Sequence, residues 1–373
     1  MSNTKTIMSQ ASNQYVAPTD SSDLFSTHLY TGTGAAQTIT NGIDLAGKGG
    51  LVWSKGRNVA YGHQLYDTAR GAGYYLETNA TMASTAEAGG VTSFNSNGFS
   101  IGTDAPLNNN NTNFVSWTFR KAPKFFDIVQ YTGTGDTTTQ TISHNLGAVP
   151  GCIIVKRTDS TDSWRVYHRG VDVNGDGQPW TDMLTLNHAY AATDYPVWGD
   201  TAPTSTQFTV GYESSVNGSG GTYVAYIFAH NDGDGTFGPN DDQDIIKCGS
   251  YTGNGSSQEI NIGFEPQWIM VKNTSDTADW VIFDEMRNFI VSKSGSMDST
   301  KLSPNTTTVE QAMARMGPHP TGIMFDSENG SVVNTSGNTY IYMAIRRGPL
   351  APPEAGTEVF GLQDYSGTPS SGP

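Results

Sequence analysis

Short apolar runs, each bounded by glycine, serine, threonine and asparagine, recur along the whole chain. Three of them end in lysine: Gly50-Leu-Val-Trp-Ser-Lys55, Gly151-Cys-Ile-Ile-Val-Lys156 and Gln267-Trp-Ile-Met-Val-Lys272. A run that is apolar at nearly every position predicts a strand covered on both faces. Other runs mix polar and apolar positions, as half-buried strands do: Gln37-Thr-Ile-Thr40, Gln140-Thr-Ile-Ser143 and Glu259-Ile-Asn-Ile262. A helical signal is visible only at Val309 to Met316, with Thr307 or Thr308 as its cap.

These runs fall in a fixed order. Tyr30-Thr-Gly-Thr-Gly34, Tyr131-Thr-Gly-Thr-Gly135 and Tyr251-Thr-Gly-Asn-Gly255 each precede a Thr/Ile strand and then a lysine-ended strand. A strand carrying an aromatic follows: Gln64-Leu-Tyr-Asp67, Trp164-Arg-Val-Tyr-His168 and Trp280-Val-Ile-Phe-Asp284, with Arg70, Arg169 and Arg287 close behind. Each set closes on a strongly apolar strand, such as Asn113-Phe-Val-Ser-Trp-Thr-Phe119. Self-similarity of this kind decides architecture before anything else. The reading is an all-β chain of three tandem β-sandwich, jelly-roll-like repeats over residues 25–122, 125–231 and 244–348. Residues 1–24 and 349–373 are extended arms without the pattern. They lack the apolar content for a core and are expected to lie against partners. The three sandwiches are expected to form a rod or a compact trefoil-like body, each burying its own core. Within a repeat, the Tyr-Thr-Gly strand and the Thr/Ile strand read as a hairpin around glycines with positive φ. The last two strands, joined through Asn108 to Asn111, Asn217-Gly-Ser-Gly220 or Asn334-Thr-Ser-Gly337, read as a second pair.

Composition supports the β reading and narrows the partners. Charged residues make up 15% of the chain, against ~25% in ordinary soluble domains. The net charge of −15 disfavours nucleic acid. No apolar run approaches the ~20 residues that span a bilayer, and the polar N-terminal stretch lacks the apolar core of a secretory signal. Cys152 and Cys248 form no zinc pattern and read as buried free thiols, pairable only if their strands are neighbours.

Candidate chemistry is sparse. The Tyr-Thr-Gly-x-Gly element lacks the lysine and helix of a phosphate loop. Asp172-Val-Asn-Gly-Asp-Gly177 has the alternating oxygens of a calcium loop, so Asp172, Asn174 and Asp176 are candidate Ca2+ ligands. The twelfth position, however, is Met183 instead of the bidentate glutamate. Asp232, Asp234, Asp241, Asp242 and Asp244 form a second acidic stretch, which reads as a solvated linker or a weaker cation site. The seven histidines are scattered, no Gly-x-Ser-x-Gly elbow occurs, and no acidic pair is shared by the three repeats, so no catalytic residue is assigned. Trp180, Tyr195 and Trp198 lie in the irregular part of the second repeat and are candidate ligand-binding aromatics. The lysines Lys55, Lys156 and Lys272 and the downstream arginines are expected to pair with nearby aspartates.

Three stretches together resemble a β-rich repeat of tailed-bacteriophage virion proteins: Gly50-Leu-Val-Trp-Ser-Lys55, Gln64-Leu-Tyr-Asp-Thr-Ala-Arg-Gly71 and Gly90-Val-Thr-Ser-Phe-Asn-Ser-Asn-Gly-Phe-Ser-Ile-Gly102. The ending Ala344-Ile-Arg-Arg-Gly-Pro, with Gly356-Thr-Glu-Val-Phe360, is similar to theirs too. The resemblance implies a non-enzymatic virion component made in the host cytoplasm, of tail-fibre or tail-appendage type, with no catalytic residues to carry over. The expected partners are other virion proteins through the arms, a host surface glycan or protein, and further copies of the chain in a homo-oligomer. A capsid decoration protein is the nearest alternative, and a carbohydrate-active enzyme with lectin-like modules is the alternative from another class.

Overall fold

The computed structural model describes residues 20–348 apart from 136, 239, 292–298, 314–315 and 327–331. The proposed arms therefore lie outside the described residues, save for 20–24 at the first one's end. There Asp20 caps the short turn Ser21–Asp23 by accepting from the Ser22 amide. The protein is all-β, built from several antiparallel sheets.

Three large sheets follow one strand order. The first runs Phe25–Thr31, Asn113–Arg120, Gly50–Gly56, Gln64–Asp67, Tyr74–Glu77, Thr85–Ala86. The second runs Phe126–Thr132, Thr222–Ala229, Pro150–Arg157, Arg165–His168, Asp182–Thr185, Thr193–Asp194. The third runs Ile246–Thr252, Thr339–Arg346, Pro266–Asn273, Val281–Asp284. In each, the closing strand lies between the opening strand and the lysine-ended strand. The lysine-ended strand is thus interior, which is why Gly50–Gly56 and Pro266–Asn273 are buried along their entire length.

The two expected hairpins do not form. Phe25–Thr31 pairs with Asn113–Arg120, whereas Gln37–Thr40 crosses to a small sheet and pairs with Gly98–Ile101. The same crossing puts Gln140–Ser143 on Gln207–Val210 and Gln258–Asn261 on Gly322–Phe325. The glycine element is a corner between two sheets rather than a turn within one. Its first glycine does not need positive φ; a Cβ on Gly32, Gly133 or Gly253 would stand 2.2, 2.3 or 2.3 Å from a backbone carbonyl oxygen of the facing corner. Only the second glycine has positive φ, at 69° for Gly34, 132° for Gly135 and 69° for Gly255. A buried asparagine ties the corners together in each case. Asn108, Asn217 and Asn334 accept from the amides of Thr33, Thr134 and Asn254, and their side-chain amides donate to nearby carbonyls.

Among the described residues of Val309 to Met316 the expected helix is also absent. Gln311–Ala312 pairs with Thr300–Lys301, and Met316–His319 adds a strand to the third small sheet. Met313 and Met316 are buried there, so tertiary packing overrides the local helical preference.

Alternation along the lysine-ended strands divides the core. In the first sheet Leu51 and Trp53 face inward while Val52 faces the small sheet. In the third, Trp268 and Met270 face inward while Ile269 and Val271 face outward. The inward residues of all three large sheets join one cluster containing Trp53, Trp117, Trp164, Tyr226, Trp268, Trp280 and Met343. The chain is therefore a compact body with a common core, and the rod arrangement is excluded. Each fully buried large side chain adds roughly 1.5–3 kcal/mol, so this shared cluster is the dominant stabilising element.

Polar contacts close the body into a ring. Tyr226 of the second sheet donates to Asp67 of the first at 2.7 Å. Trp117 of the first donates to Asp284 of the third at 2.9 Å. His168 of the second meets the Tyr342 carbonyl of the third at 3.0 Å. Asp67, His168 and Asp284 end corresponding strands, so each junction uses the same place in the fold. The buried arginines do pair as expected: Arg70 with Asp67 and Arg287 with Asp284, both at 2.6 Å. The lysines do not. Lys55, Lys156 and Lys272 donate instead to the carbonyls of Gly56, Arg157 and Asn273. Lys55 and Lys272 also reach across junctions to Thr307 and Ala189.

Candidate functional site

One end of the second sheet departs from the other two. The first and third sheets carry Asp-x-x-Arg at the end of the fourth strand, and the arginine folds back onto the aspartate. In the second, histidine occupies the aspartate's place and valine the arginine's, as His168 and Val171. Arg169 is displaced to an exposed position. Its guanidinium makes no hydrogen bond or ion pair with any described residue.

Arg169 lines a cleft of about 620 Å³. Its floor comes from Val149 and Pro150 at the start of a lysine-ended strand and from Tyr167. One wall is the loop carrying Pro179 and Trp180, another the loop carrying Pro203, and the third is the connection carrying His230, Asp232 and Asp234. Tyr167 is held by Trp198, whose ring meets it edge-on at 6.0 Å. Burial pushes the Tyr167 hydroxyl well above its usual range, so it stays protonated as a donor. His230 accepts from the Cys248 amide through Nδ1 at 3.1 Å, which places its own proton on Nε2. Burial, aided by the Arg169 charge, lowers its pKa to about 4, so the ring is neutral at ordinary pH. Asp232 is paired with Lys247 at 3.1 Å, and that contact holds its carboxyl below the usual range. A carboxyl so held keeps no proton for a leaving group at neutral pH. Asp234 accepts from the Asp232 amide.

The cleft thus offers an indole, three prolines, a free guanidinium, a neutral imidazole N–H and carboxylate acceptors. Such a set can stack on a ring and hydrogen-bond its substituents.

The aromatics chosen from sequence part company here. Trp180 stands half-buried in the cleft wall. Tyr195 is 44% exposed but lies outside the cleft lining. Trp198 is a correction: it is 2% exposed, packed beneath Tyr167, and reaches no ligand directly. The calcium reading of Asp172, Asn174 and Asp176 is not supported. Asp172 accepts from the Asp176 and Gly177 amides, Asp176 accepts from Gln178, and Asn174 donates to Asp194. The loop oxygens thus serve its own turns. Among the described residues no group of three or more His, Cys, Asp or Glu could hold a metal ion. Asp244, from the second acidic stretch, likewise accepts from the Gly233 and Gly235 amides. The two cysteines are free and buried. No helix among the described residues is long and apolar enough to cross a membrane.

Arg169, Tyr167 and His230 were not expected at a site. The signal for Arg169 was present in the sequence, as the one broken Asp-x-x-Arg spacing of three.

The chain is thus an all-β protein of antiparallel sheets with an open cleft at one end of the second large sheet. The chain matches, over residues 20–349, the family described as "Domain of unknown function (DUF7483)", and it belongs to that family. No curated protein matches it.

Proposed function

We propose that this chain is a non-enzymatic structural protein of a tailed-bacteriophage virion, of tail-fibre or appendage type. In this reading the cleft of the second sheet meets a host surface glycan. On the same reading the three large sheets are copies of one unit, of which the first and third carry the buried Asp–Arg lock and the second carries a recess in its place. The observation that carries the reading is this asymmetry: Arg169 and Trp180 converge on a recess at the one position where the lock is missing. The sequence resemblance to virion repeats supplies the biological setting. The acids of the cleft favour binding over hydrolysis, since the two lining carboxyls, Asp232 and Asp234, come from one connection and Asp232 is tied to Lys247. The terminal arms would join the body to other virion proteins, and a homo-oligomer would add avidity on a host surface.

Electron microscopy of particles labelled with an antibody to this chain tests the assignment. Label on the tail supports it, and label spread over the head favours the decoration alternative. Incubation with host polysaccharide is expected to release no reducing ends. Release that disappears in an Asp232→Asn or Asp234→Asn variant would replace the adhesin with an enzyme.

A further inference from the structure

We propose that the cleft selects a carboxylated sugar, with Arg169 gripping the carboxylate and Trp180 lying against the ring. This rests on the adhesion reading above and narrows its ligand class. Arginine carries five N–H donors, has no acceptor and never loses its charge at ordinary pH. Its fork matches a carboxylate in two parallel bonds. Closing a neutral sugar over the unpaired Arg169 would bury that charge without a counter-ion, which is costly. No acid nearby is bonded to Arg169. Asp232 is engaged by Lys247 at 3.1 Å. One Asp234 oxygen accepts from the Asp232 amide. Lys124 adds a further cation at this end, donating to the Asp234 carbonyl at 2.8 Å. The lining therefore carries both signs, and Arg169 is its one cation, with no bonded carboxylate of its own. The remaining groups suit a sugar. The Tyr167 hydroxyl and the His230 Nε2 proton are donors, and the outer carboxylate oxygens accept from hydroxyls. Pro179 and Trp180 give an apolar wall for the C–H face of a pyranose ring.

Titration calorimetry with the full chain tests this. The probes are oligosaccharides of galacturonate, of glucuronate and of N-acetylneuraminate, each beside its methyl ester. At least one acid is expected to bind, and its ester about tenfold more weakly, as loss of a charge-assisted pair implies. Arg169→Gln should bring the acid down to the affinity of its ester and leave the ester unchanged. Arg169→Lys, which keeps the charge and loses the fork, should fall between. Trp180→Ala should weaken acid and ester alike. Arg169 is exposed and unpaired, so its variants should unfold at the wild-type midpoint, and a loss of binding can be assigned to the site. Equal affinity for acid and ester, or an Arg169→Gln variant that still discriminates, would overturn the carboxylate inference and leave the glycan reading standing. Failure of every probe to bind would overturn both.

Discussion

Three lysines show how a single residue's environment decides its role. Lys55, Lys156 and Lys272 are each fully buried, and each ends an apolar strand. Their pattern in the sequence suggested ion pairs, yet none of them has a carboxylate within ion-pair distance among the described residues. They donate to backbone carbonyls instead. The buried aspartates Asp67 and Asp284 are taken by Arg70 and Arg287 from the same turn, and the second sheet has His168 at that place. Removal from water lowers each lysine from 10.5 to about 8. A folded-state pKa below the unfolded one means that the unfolded chain binds more protons between the two values. Stability therefore rises as pH climbs from about 8 towards 10.5. The buried tyrosines act oppositely above their ordinary value of 10.0, because the folded chain holds their protons longer and loses stability as the unfolded chain ionises. The unfolding midpoint is expected to increase from pH 7 to a maximum between pH 9 and 10, roughly where the two effects cross. Replacing the three lysines by methionine should flatten that rise, because the group that titrates is gone. Midpoints that fall steadily from pH 7 would contradict the assignment.

At the scale of elements, the sequence was legible wherever one strand could be read by itself. The lysine-ended strands were recognisable because continuous apolar runs of that length have few other homes. Pairing was not legible. A strand, two glycines and a second strand look alike whether the chain turns back on itself or crosses to another sheet, and the choice depends on a facing corner far along the chain. The signal that separates them is the asparagine at 108, 217 and 334, whose side chain bonds both corners. The short stretch around Met313 misled for a related reason: its helical spacing was overruled by a partner strand and by Glu310, which bonds Arg57 and Arg287. The cleft was half legible. Trp180 stood out as an aromatic in irregular chain, whereas Trp198 in the same stretch is core. The corner geometry ranks two substitutions. A methyl on Gly133 would meet the Gly218 carbonyl oxygen at 2.3 Å and the Asn217 carbonyl carbon at 2.8 Å, and neither is a side chain that can swing away. At Gly34 a methyl would meet only Asn110, at an ordinary 3.5 Å, but φ is 69°. Gly133→Ala is expected to cost about 3 kcal/mol or more, at the upper end of overpacking. Gly34→Ala should cost about 1–2 kcal/mol, from left-handed backbone strain. Urea unfolding of both variants gives the order, and a reversed order would mean that the corners are not closely apposed in solution.

The whole molecule behaves differently from a string of sandwiches because its inner core belongs to no one of them. Trp117, Tyr226 and Trp268 come from three different large sheets and share one cluster. The junction bonds run first to third, second to first and third to second, so removing any sheet breaks two of three. Each large sheet would then expose an apolar inner face that only its neighbours cover, among them Trp164 and Trp280, whose indoles donate across junctions to Glu77 and Thr185. Independent folding of one unit is thus disfavoured although each has the length of a small domain. Calorimetric unfolding of the full chain should show a single transition, with van't Hoff and calorimetric enthalpies equal, as for one cooperative unit. A fragment of residues 125–231, excised alone, should lack the near-ultraviolet signature of packed aromatics and should aggregate or bind a hydrophobic dye. Three resolved transitions, or a fragment that folds with native-like aromatic packing, would show the sheets to be autonomous and the shared core to be a contact surface between finished domains. A ring that must be complete to be stable also holds the cleft of the second sheet rigid, since its Pro150 floor and Tyr167 rest on strands clamped from both sides. On the adhesion proposed above, such rigid presentation would lower the ordering cost of binding.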